Sequence, residues 1–347
     1  MKTLEKMIDN PPQIPMPTIW ILNELAEYRG KQYLFTKQSP QKLKALREYA
    51  LIESSVASNR IEGVEIDKKR IGTVLFGKSH LQDRNEQEIR GYQTALSLVH
   101  ELQEKLEIST ETILKIHSMI RPEIWDSGKL KEKDGEIIEK YPDGRVSIRF
   151  LPLSAAETPT ALDKMCELYN SMQRNKEIPH LILFAAMNLD FLCIHPFRDG
   201  NGRVSRILLL LTLYHLGFSA GRFISLERII EQSKERYYET LKLSSQGWHE
   251  KKHDPWPYIN YILYTLKELY MEFEDRYENF SLPQGEKTKS VQRALNDFFD
   301  PFHISELQMK CPEVSLDMIR KILKNMAANN KVECLGRGKY AKWRVNR

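Results

Sequence analysis

The sequence has no long run of apolar residues and no apolar segment near its beginning. A prominent apolar stretch covers residues 207–211 and continues at Leu213 and Tyr214, far short of the ~20 residues that a membrane-spanning helix needs. This stretch predicts a helix that is buried on all sides. Residues 1–15 contain acidic side chains and lack the apolar core of a signal peptide. We therefore expect a cytoplasmic protein with no membrane partner.

Cysteine is also scarce. Four of the 347 residues are cysteines, at positions 166, 193, 311 and 334, and none forms a C-x-x-C pair, so a zinc site is not expected and the thiols are expected to be reduced. The chain has no internal repeat and no low-complexity run. Its charged fraction of 29% argues against disorder, and its apolar fraction of 41% is enough for a sizeable core. A chain of this length predicts two or three domains.

The turn that precedes this apolar helix fits neither of the two common nucleotide-binding motifs. It does not read G-x-x-x-x-G-K-S/T, and it lacks the preceding strand of a Rossmann fingerprint. Residues 195–206 instead read HPFRDGNGRVSR and lead directly into the apolar helix. A turn whose backbone N–H groups point outward from a helix N-terminus, followed by arginines, is suited to bind an anion. A histidine just upstream indicates that this anion takes part in chemistry, and phosphate is the anion we expect.

The residue types within this segment suggest individual roles. His195 has a near-neutral pKa in its ordinary form and is a candidate general base for an attacking hydroxyl. Asp199 supplies a hard oxygen ligand for Mg²⁺, which commonly binds one or two carboxylates together with substrate phosphates. The N–H groups of Gly200, Asn201 and Gly202 are candidates to bind phosphate oxygens. The alternative is a polar loop that caps a buried helix, with His195 merely hydrogen-bonded.

The two arginines of the segment lie at i and i+3. Arg203 and Arg206 are therefore expected on one helix face, where both could reach a polyphosphate. The intervening Val204 and Ser205 belong to the same predicted nucleotide-binding turn.

The segment matches His-Pro-Phe-x-Asp/Glu-Gly-Asn-Gly-Arg-x-x-Arg at every fixed position, and the chain resembles Fic-domain proteins on this basis. The resemblance covers roughly residues 10–260. It implies transfer of AMP from ATP, with Mg²⁺, to a Ser, Thr or Tyr hydroxyl of a protein, with release of pyrophosphate. It further implies that His195 is the base, that Asp199 binds Mg²⁺, and that Arg203 and Arg206 hold the β- and γ-phosphates.

A second motif lies upstream in Ser58-Asn59-Arg60-Ile61-Glu62-Gly63. Ser58 and Glu62 are four residues apart and share a helix face, and Gly63 suits the left-handed residue after a helix. The resemblance identifies this pattern as the inhibitory motif of the family and implies a Glu62–Arg206 ion pair that displaces the γ-phosphate. Taken alone, the pattern equally fits a surface glutamate at an ordinary helix end.

Residues 135–150 predict a β-hairpin in an otherwise helical chain. Short β-favouring runs flank Tyr141-Pro142-Asp143-Gly144, where proline presets φ and glycine accepts a positive φ. The resemblance implies that this hairpin is a flap whose edge pairs with the target, with Ser147, Ile148 and Arg149 near the nucleotide. A purely structural hairpin is the alternative.

Residues 234–239 (KERYYE) begin a further helix. By resemblance, one of its tyrosines contacts the adenine, and Tyr238 is the preferred candidate over Tyr237. A core aromatic role is the competing interpretation. His117, on the helix that begins near Thr110, is expected to be a packing residue.

The C-terminal part has a composition of its own. After a linker at residues 281–285, residues 286–347 contain 13 Lys and Arg against 7 Asp and Glu, a net charge of +6, whereas the whole chain carries +5. Helical patterns at 289–299, after Ser305 and from Ser315 to Asn329 precede two short strands around a basic glycine-rich turn. This order resembles a winged helix, which could bind DNA. A protein-interaction or dimerisation module, and hence a homodimer, is the alternative.

We therefore expect a mainly α protein with three parts. These are an N-terminal helical region (1–80), a Fic helical bundle with its flap (81–280) and a winged-helix-like α+β domain (286–347). The leading function is an autoinhibited protein adenylyltransferase that acts on a target protein and on itself. The alternatives are a DNA-binding regulator whose Fic core senses nucleotide, and a Fic enzyme that uses another nucleotide donor or removes AMP.

Overall fold

The structure is a computed structural model that describes residues 1–38, 40–67, 70–76, 80–122, 124–140, 144–279, 286–298, 300–311, 314, 316–336 and 341–346. Within these residues the chain forms fifteen α-helices and five short strands. The prediction of a mainly α architecture is confirmed. None of the described helices is both long enough and apolar enough to cross a membrane.

Contacts divide the chain into two units, residues 1–34 with 46–274, and residues 35–45 with 275–347. The first twelve helices are α1 (Lys2–Asp9), α2 (Met16–Gln38), α3 (Pro40–Ile61), α4 (Ile71–Phe76), α5 (Arg84–Leu102), α6 (Thr110–Ile120), α7 (Thr158–Asn175), α8 (His180–Ile194), α9 (Asn201–His215), α10 (Leu226–Gln232), α11 (Lys234–Ser245) and α12 (Trp256–Asn279). The predicted boundaries at residues 80 and 280 stay predictions, because they separate parts of the chain by their expected roles and not by their contacts.

Local capping explains where several of these helices begin. The side chains of Asp83, Ser109 and Ser225 accept hydrogen bonds from backbone N–H groups in the first turns of α5, α6 and α10, which satisfies donors that the helix itself cannot pair. The pattern of apolar residues predicts helices at 18–30, 40–62, 84–105, 109–121, 157–175 and 180–193, and each of these ranges corresponds to helical structure.

The centre of the first unit is the pair α8 and α9. Every residue of α8 from Leu181 to Ile194 is buried, and α9 is buried from Val204 to Tyr214, as the apolar run predicts. The buried carboxylate of Asp190 accepts hydrogen bonds from the backbone N–H groups of Thr3 (2.8 Å) and Leu4 (3.0 Å). This contact fixes the N-terminus of α1, a helix that the sequence pattern did not predict.

The predicted hairpin is present as β1 (Ile137–Lys140) and β2 (Val146–Phe150), paired antiparallel with a register shift between Ile137 and Ile138. Gly144 has a φ of +85°, which a residue with a Cβ rarely adopts. The other predicted turn residues, 141–143, lie outside the described residues.

The second unit has its own core. It contains α13 (Glu286–Leu295), β3 (Phe302–His303), α14 (Ile304–Lys310), α15 (Leu316–Ala328), β4 (Val332–Cys334) and β5 (Lys342–Val345). Its sheet has the order β3-β5-β4 and is antiparallel, and Val291, Phe302, Leu307 and Leu323 are among its buried residues. The helix and strand order agrees with the prediction, with β3 as an unexpected third strand. The predicted linker at 281–285 lies outside the described residues, as do residues 337–339 of the predicted basic turn at 336–339.

Candidate active site

The turn between α8 and α9 carries the HPFRDGNGRVSR motif. His195 ends α8 in a left-handed conformation with a φ of 51°, and its N–H donates to the carbonyl of Phe191 (2.9 Å). Gly200, with a φ of 90°, precedes α9. The left-handed region costs a residue with a Cβ roughly 1–2 kcal/mol, so the surrounding contacts must hold His195 in place. The motif is thereby fixed between two buried helices.

The turn is braced by two polar side chains. Asn201 accepts a hydrogen bond from the Phe197 N–H (2.9 Å) and donates one to the Phe197 carbonyl (2.7 Å). His117 stacks on Phe197 with ring centroids 3.9 Å apart. Its Nδ1 accepts from the Gly128 N–H (3.0 Å), so its Nε2 carries the proton and donates to the Asp199 carbonyl (3.0 Å). His117 thus packs as expected and also supports the motif, a role without a sequence signal.

The His195 ring is oriented to leave one nitrogen free. Its Nδ1 lies 3.4 Å from the Leu192 carbonyl, and because a carbonyl only accepts, Nδ1 carries the proton. Nε2 therefore keeps its lone pair. Burial lowers the pKa of His195 to about 4, although the bond to Leu192 opposes this effect. At neutral pH the imidazole is a neutral base.

Asp199 combines a negative charge with access to solvent. Its side chain is 48% exposed, and one oxygen lies 2.9 Å from Nη1 of Arg121. Burial would raise the pKa of the Asp199 carboxyl, but the charges of Arg121 and Arg203 outweigh burial and lower it below its ordinary value. No group of three or more metal-ligating side chains occurs among the described residues. Asp199 would therefore give Mg²⁺ a single protein ligand, which fits an ion that arrives with substrate phosphates.

Arg203 is buried beneath the turn. It is 1% exposed, and its Nη1 donates to the buried carboxylate of Glu88 (2.5 Å) and to Asn59 (3.2 Å). Glu88 also accepts from Arg84 (2.7 Å) and Arg121. This network neutralises Arg203 beneath the turn.

The binding of a polyphosphate by both motif arginines stays a prediction. In this structure the Arg203 guanidinium pairs with Glu88, and its Nη2 also lies 3.5 Å from Oδ1 of Asp199. The side chains of Val204 and Ser205 are fully buried. Nothing in the sequence pointed to Glu88, since the charged residues around it are typical of a solvated helix face.

Arg206 faces the C-terminal end of α3. Its Nε donates to Oγ of Ser58 (2.8 Å), and its Nη2 donates to the Ser58 carbonyl (2.9 Å) and to Oε1 of Glu62 (2.8 Å). Burial would lower the pKa of Arg206, but the negative charge of Glu62 raises it above its ordinary value. Nη1 of Arg206 is buried without a hydrogen-bond partner. The predicted Glu62–Arg206 pair is therefore present in the structure.

Glu62 also covers the N-terminus of α9. A Cβ built on Gly202 would collide with the Glu62 carboxylate and lie 3.2 Å from Nη1 of Arg206. Gly63, with a φ of 82°, ends the helical turn that presents Glu62. A carboxylate thus occupies the position beside the helix N-terminus that would suit an anionic ligand.

A cavity of about 470 Å³ opens in front of these groups. Its lining comes from the turn after α3, the hairpin, the end of α8, the motif and α11: Glu62, Ile137, Ile138, Glu139, Arg149, Leu192, His195, Gly202, Arg206, Tyr237, Tyr238 and Leu241. The structure thereby brings together the predicted residues His195, Arg206, Glu62, Tyr238 and Arg149. Ser147 and Ile148 are exposed on β2 and, like Gly200 and Asn201, do not line this cavity.

One end of the cavity is aromatic and basic. The Arg149 guanidinium lies 5.3 Å from the centre of the Tyr238 ring. Tyr237 is 2% exposed and packs against Tyr261 (5.7 Å) and Tyr258 (6.2 Å). Tyr238 is therefore the freer of the two tyrosines to meet a planar base.

A second cavity, of about 540 Å³, shares His195 and Ile137 with the first. Its rim includes Trp125 and Arg198, whose guanidinium lies 5.2 Å from the Trp125 ring. Lys131 also lines it. His195 thus borders two spaces, one with the anion-binding groups and one without them.

Comparison with known proteins agrees with this geometry. Residues 107–213 match the Fic/DOC family. The chain is 26% identical over 257 residues to protein adenylyltransferase Fic of Nematostella vectensis, covering 70% of this chain and 53% of that protein. It is 28% identical over 190 residues to the protein of the same name in Drosophila grimshawi, covering 54% of this chain and 34% of that one. The chain spans about half or less of the length of these curated relatives.

Solved structures share the fold. A Fic family protein from Desulfovibrio desulfuricans G20 superposes with a TM-score of 0.65 at 18% identity and covers 97% of this chain and 98% of its own. Fic-1 (residues 134–508) of C. elegans gives a TM-score of 0.60 at 20% identity over 75% of this chain and 73% of its own. The family match, which includes the intact motif at residues 195–206, therefore places a Fic domain at residues 107–213, and the solved structures show the same fold.

Proposed function

We propose that this protein is a protein adenylyltransferase that transfers AMP from ATP to a hydroxyl of a protein. The observation that carries the proposal is His195, a neutral base with a free Nε2 that lines both a cavity with Gly202 and Arg206 and a second cavity. The two curated relatives named above are protein adenylyltransferases, which supports the same reaction class here.

The residues suggest how the reaction proceeds. ATP enters the first cavity with its phosphates at Gly202 and Arg206 and its adenine toward Tyr238. The target hydroxyl approaches through the second cavity and gives its proton to Nε2 of His195 while its oxygen attacks the α-phosphorus. The bond between the α-phosphorus and the oxygen bridging to the β-phosphate breaks, and pyrophosphate leaves with its electron pair.

Asp199 would hold the Mg²⁺ that accompanies the phosphates. The ion would supply charge neutralisation for the leaving pyrophosphate. The carboxylate has a lowered pKa and is half-exposed. Its Oδ2 pairs with Arg121 and its Oδ1 accepts a hydrogen bond from the Gly200 N–H (2.6 Å), so Mg²⁺ would bind at the lone pairs that these contacts leave.

Autoinhibition by Glu62 is part of the proposal. Arg206 cannot give the same N–H groups to Glu62 and to a phosphate, because both ligands compete for one guanidinium edge. The Glu62 carboxylate also covers Gly202. Both contacts lie within one chain, which favours inhibition in cis.

The test is incorporation of label from α-³²P-ATP with Mg²⁺. We compare wild type, Glu62→Gly, Glu62→Gly/His195→Ala and the control Glu65→Gly, which removes an exposed acid three residues away. We expect Glu62→Gly to raise labelling of itself or of lysate proteins by more than about tenfold, with loss on the second substitution and no change in the control. Transfer of the γ-phosphate of ATP, or of a nucleotide from another donor, would contradict AMP transfer from ATP. Release of AMP from a labelled protein would favour the reverse reaction.

Binding of DNA by the second unit is a second candidate function. The observation in its favour is the outer face of α15, where Arg320, Lys321 and Lys324 are exposed. Phosphate contacts make DNA binding salt-dependent. Fluorescence anisotropy with duplex DNA should then give an affinity that falls steeply between 50 and 200 mM salt and is lost in Lys321→Glu/Lys324→Glu. Equal anisotropy in that variant would point to a protein-interaction module.

A further inference from the structure

Lys131 lies beside His195 although it is far away in sequence and outside both motifs. Its backbone N–H donates to the carbonyl of Pro196 (2.9 Å), and its Nζ donates to the carbonyl of Ile194 (3.0 Å). These two carbonyls belong to the residues immediately before and after His195. One residue thus binds the chain on both sides of the candidate base.

The local backbone needs such a support. His195 has a positive φ, a conformation that a residue with a Cβ adopts only when its surroundings impose it. The Ile194 carbonyl lies at the end of α8, where helix carbonyls lack partners within the helix. Lys131 satisfies this carbonyl with a positively charged donor, which is the favourable sign at a helix C-terminus.

The ammonium is also placed in an unusual environment. Lys131 is 9% exposed, and burial lowers its pKa to about 8, with the Asp134 carboxylate opposing that effect. Three charged side chains act on the His195 imidazole: Lys131 and Arg149 disfavour its protonated form, and Glu62 favours it. Without Glu62, the two positively charged groups Lys131 and Arg149 would remain around the His195 imidazole.

We propose, on the basis of the function proposed above, that Lys131 is a positioning residue for His195. It clamps the two peptide groups that flank the imidazole, and it sets a positive charge beside the ring. The clamp holds the imidazole where it borders both cavities. The positive charge keeps the ring neutral when the pH falls. Lys131 touches neither reacting atom and acts through His195.

The first measurement is an NMR titration of ¹³C-labelled histidines in the full-length chain, with the His195 signal assigned by its loss in His195→Ala. We compare wild type, Lys131→Met, Lys131→Arg and the control Lys129→Met, an exposed lysine that lies outside both cavities. Lys131→Met should raise the pKa of His195 by about half a unit or more. Lys131→Arg and Lys129→Met should leave it within ~0.2 units.

The second measurement is the pH profile of AMP transfer in the Glu62→Gly background. Lys131→Met should lower kcat about tenfold or more at neutral pH, a typical cost of misplaced catalytic groups, and move the acid limb upward. Lys131→Arg should restore most of the rate, because it keeps the charge and a donor.

The outcomes separate the two proposals. An unchanged pKa of His195 in Lys131→Met, or an equal shift in Lys131→Arg, overturns the role of Lys131, whatever the rate does. If Glu62→Gly alone transfers no AMP, the proposed function fails, and the NMR titration still decides on Lys131. Circular dichroism and thermal melting verify that Lys131→Met is folded. If it is not, Lys131→Gln, which also removes the charge, takes its place and should raise the pKa of His195 in the same way.

Discussion

At the scale of single side chains, Arg203 and Arg206 show how much of a side chain's environment can be predicted from the motif that contains it. The motif predicts two arginines on one helix face, and both are there. Their guanidinium groups nevertheless face different acids, Glu88 beneath the turn and Glu62 in front of it. The direction in which each guanidinium points is set by its carboxylate partner, Glu88 on α5 for Arg203 and Glu62 after α3 for Arg206. Both partners are more than a hundred residues away in sequence. Such long-range partners leave no local pattern.

The pH dependence of the reaction follows from the state of His195. The reactive form is the neutral imidazole, which is present above its pKa of about 4. Transfer by Glu62→Gly should therefore be nearly constant from about pH 5.5 to 7.5 and should fall about tenfold per unit below pH 4, as a single protonation requires. The measurement is kcat/KM against pH, with circular dichroism at each pH as the folding control. An acid limb centred at the ordinary histidine pKa near 6.5 would contradict this assignment.

The Glu88 network is expected to be a large contributor to stability. Glu88→Gln would leave Arg121 and Arg203 buried with less counter-charge, and breaking a buried ion pair costs about 3–5 kcal/mol. The control is Glu27→Gln, which removes an exposed i,i+4 partner of Lys31 and should cost no more than ~0.5 kcal/mol. Urea unfolding of both variants measures the difference. Equal urea midpoints for the two variants would mean that solvent or other groups already neutralise Arg121 and Arg203.

At the scale of elements, the end of α3 is the part that we propose to regulate. Ser58 and Glu62 both contact Arg206. Their spacing predicts only the shared helix face, the resemblance implies the Glu62 contact, and Gly63 supplies the left-handed residue. The structure adds what the spacing does not contain, namely that Glu62 lies over Gly202. The hairpin was likewise predictable from its turn residues and its alternating pattern. Helix α1 was not, because its stability depends on the buried Asp190, which no local signal connects to residues 3 and 4.

Gly63→Ala tests this helix end. Space is open around Gly63, so the only cost is the left-handed conformation, about 1 kcal/mol. The strain should loosen the turn that holds Glu62 and raise AMP transfer a few-fold, less than Glu62→Gly does. Gly30→Ala is the matched control, because Gly30 also has open space but lies within α2 at an ordinary φ, and alanine there should be neutral or stabilising. A Gly63→Ala protein with lower stability and unchanged transfer would show that Gly63 does not hold Glu62.

At the scale of the whole molecule, the chain has two separate cores. Leu210 lies fully buried in the first unit and Leu323 in the second. The sequence predicted a C-terminal module from its linker and its charge. It did not predict that residues 35–45 would belong to that unit, because a helical periodicity does not reveal which core a segment joins.

Two cores should unfold in separate steps. Leu323→Ala should destabilise the second unit by about 2–5 kcal/mol and leave AMP transfer by Glu62→Gly unchanged at 25 °C. Leu210→Ala should destabilise the first unit by a similar amount and reduce transfer. Differential scanning calorimetry of both variants should find one transition displaced in each case. A single cooperative transition that moves equally in both would contradict independent cores.

The glycine at position 202 has a consequence for how inhibition could be lost. The absence of a side chain there admits the Glu62 carboxylate, and the same gap would admit a phosphate. A bulkier residue would expel the inhibitor and block the substrate together. Random mutagenesis followed by selection for a constitutively active protein should therefore yield escape mutations at residues 58–63 and none at position 202. Gly202 would serve inhibition and substrate binding alike, so only the residues that carry Glu62 can change without loss of activity.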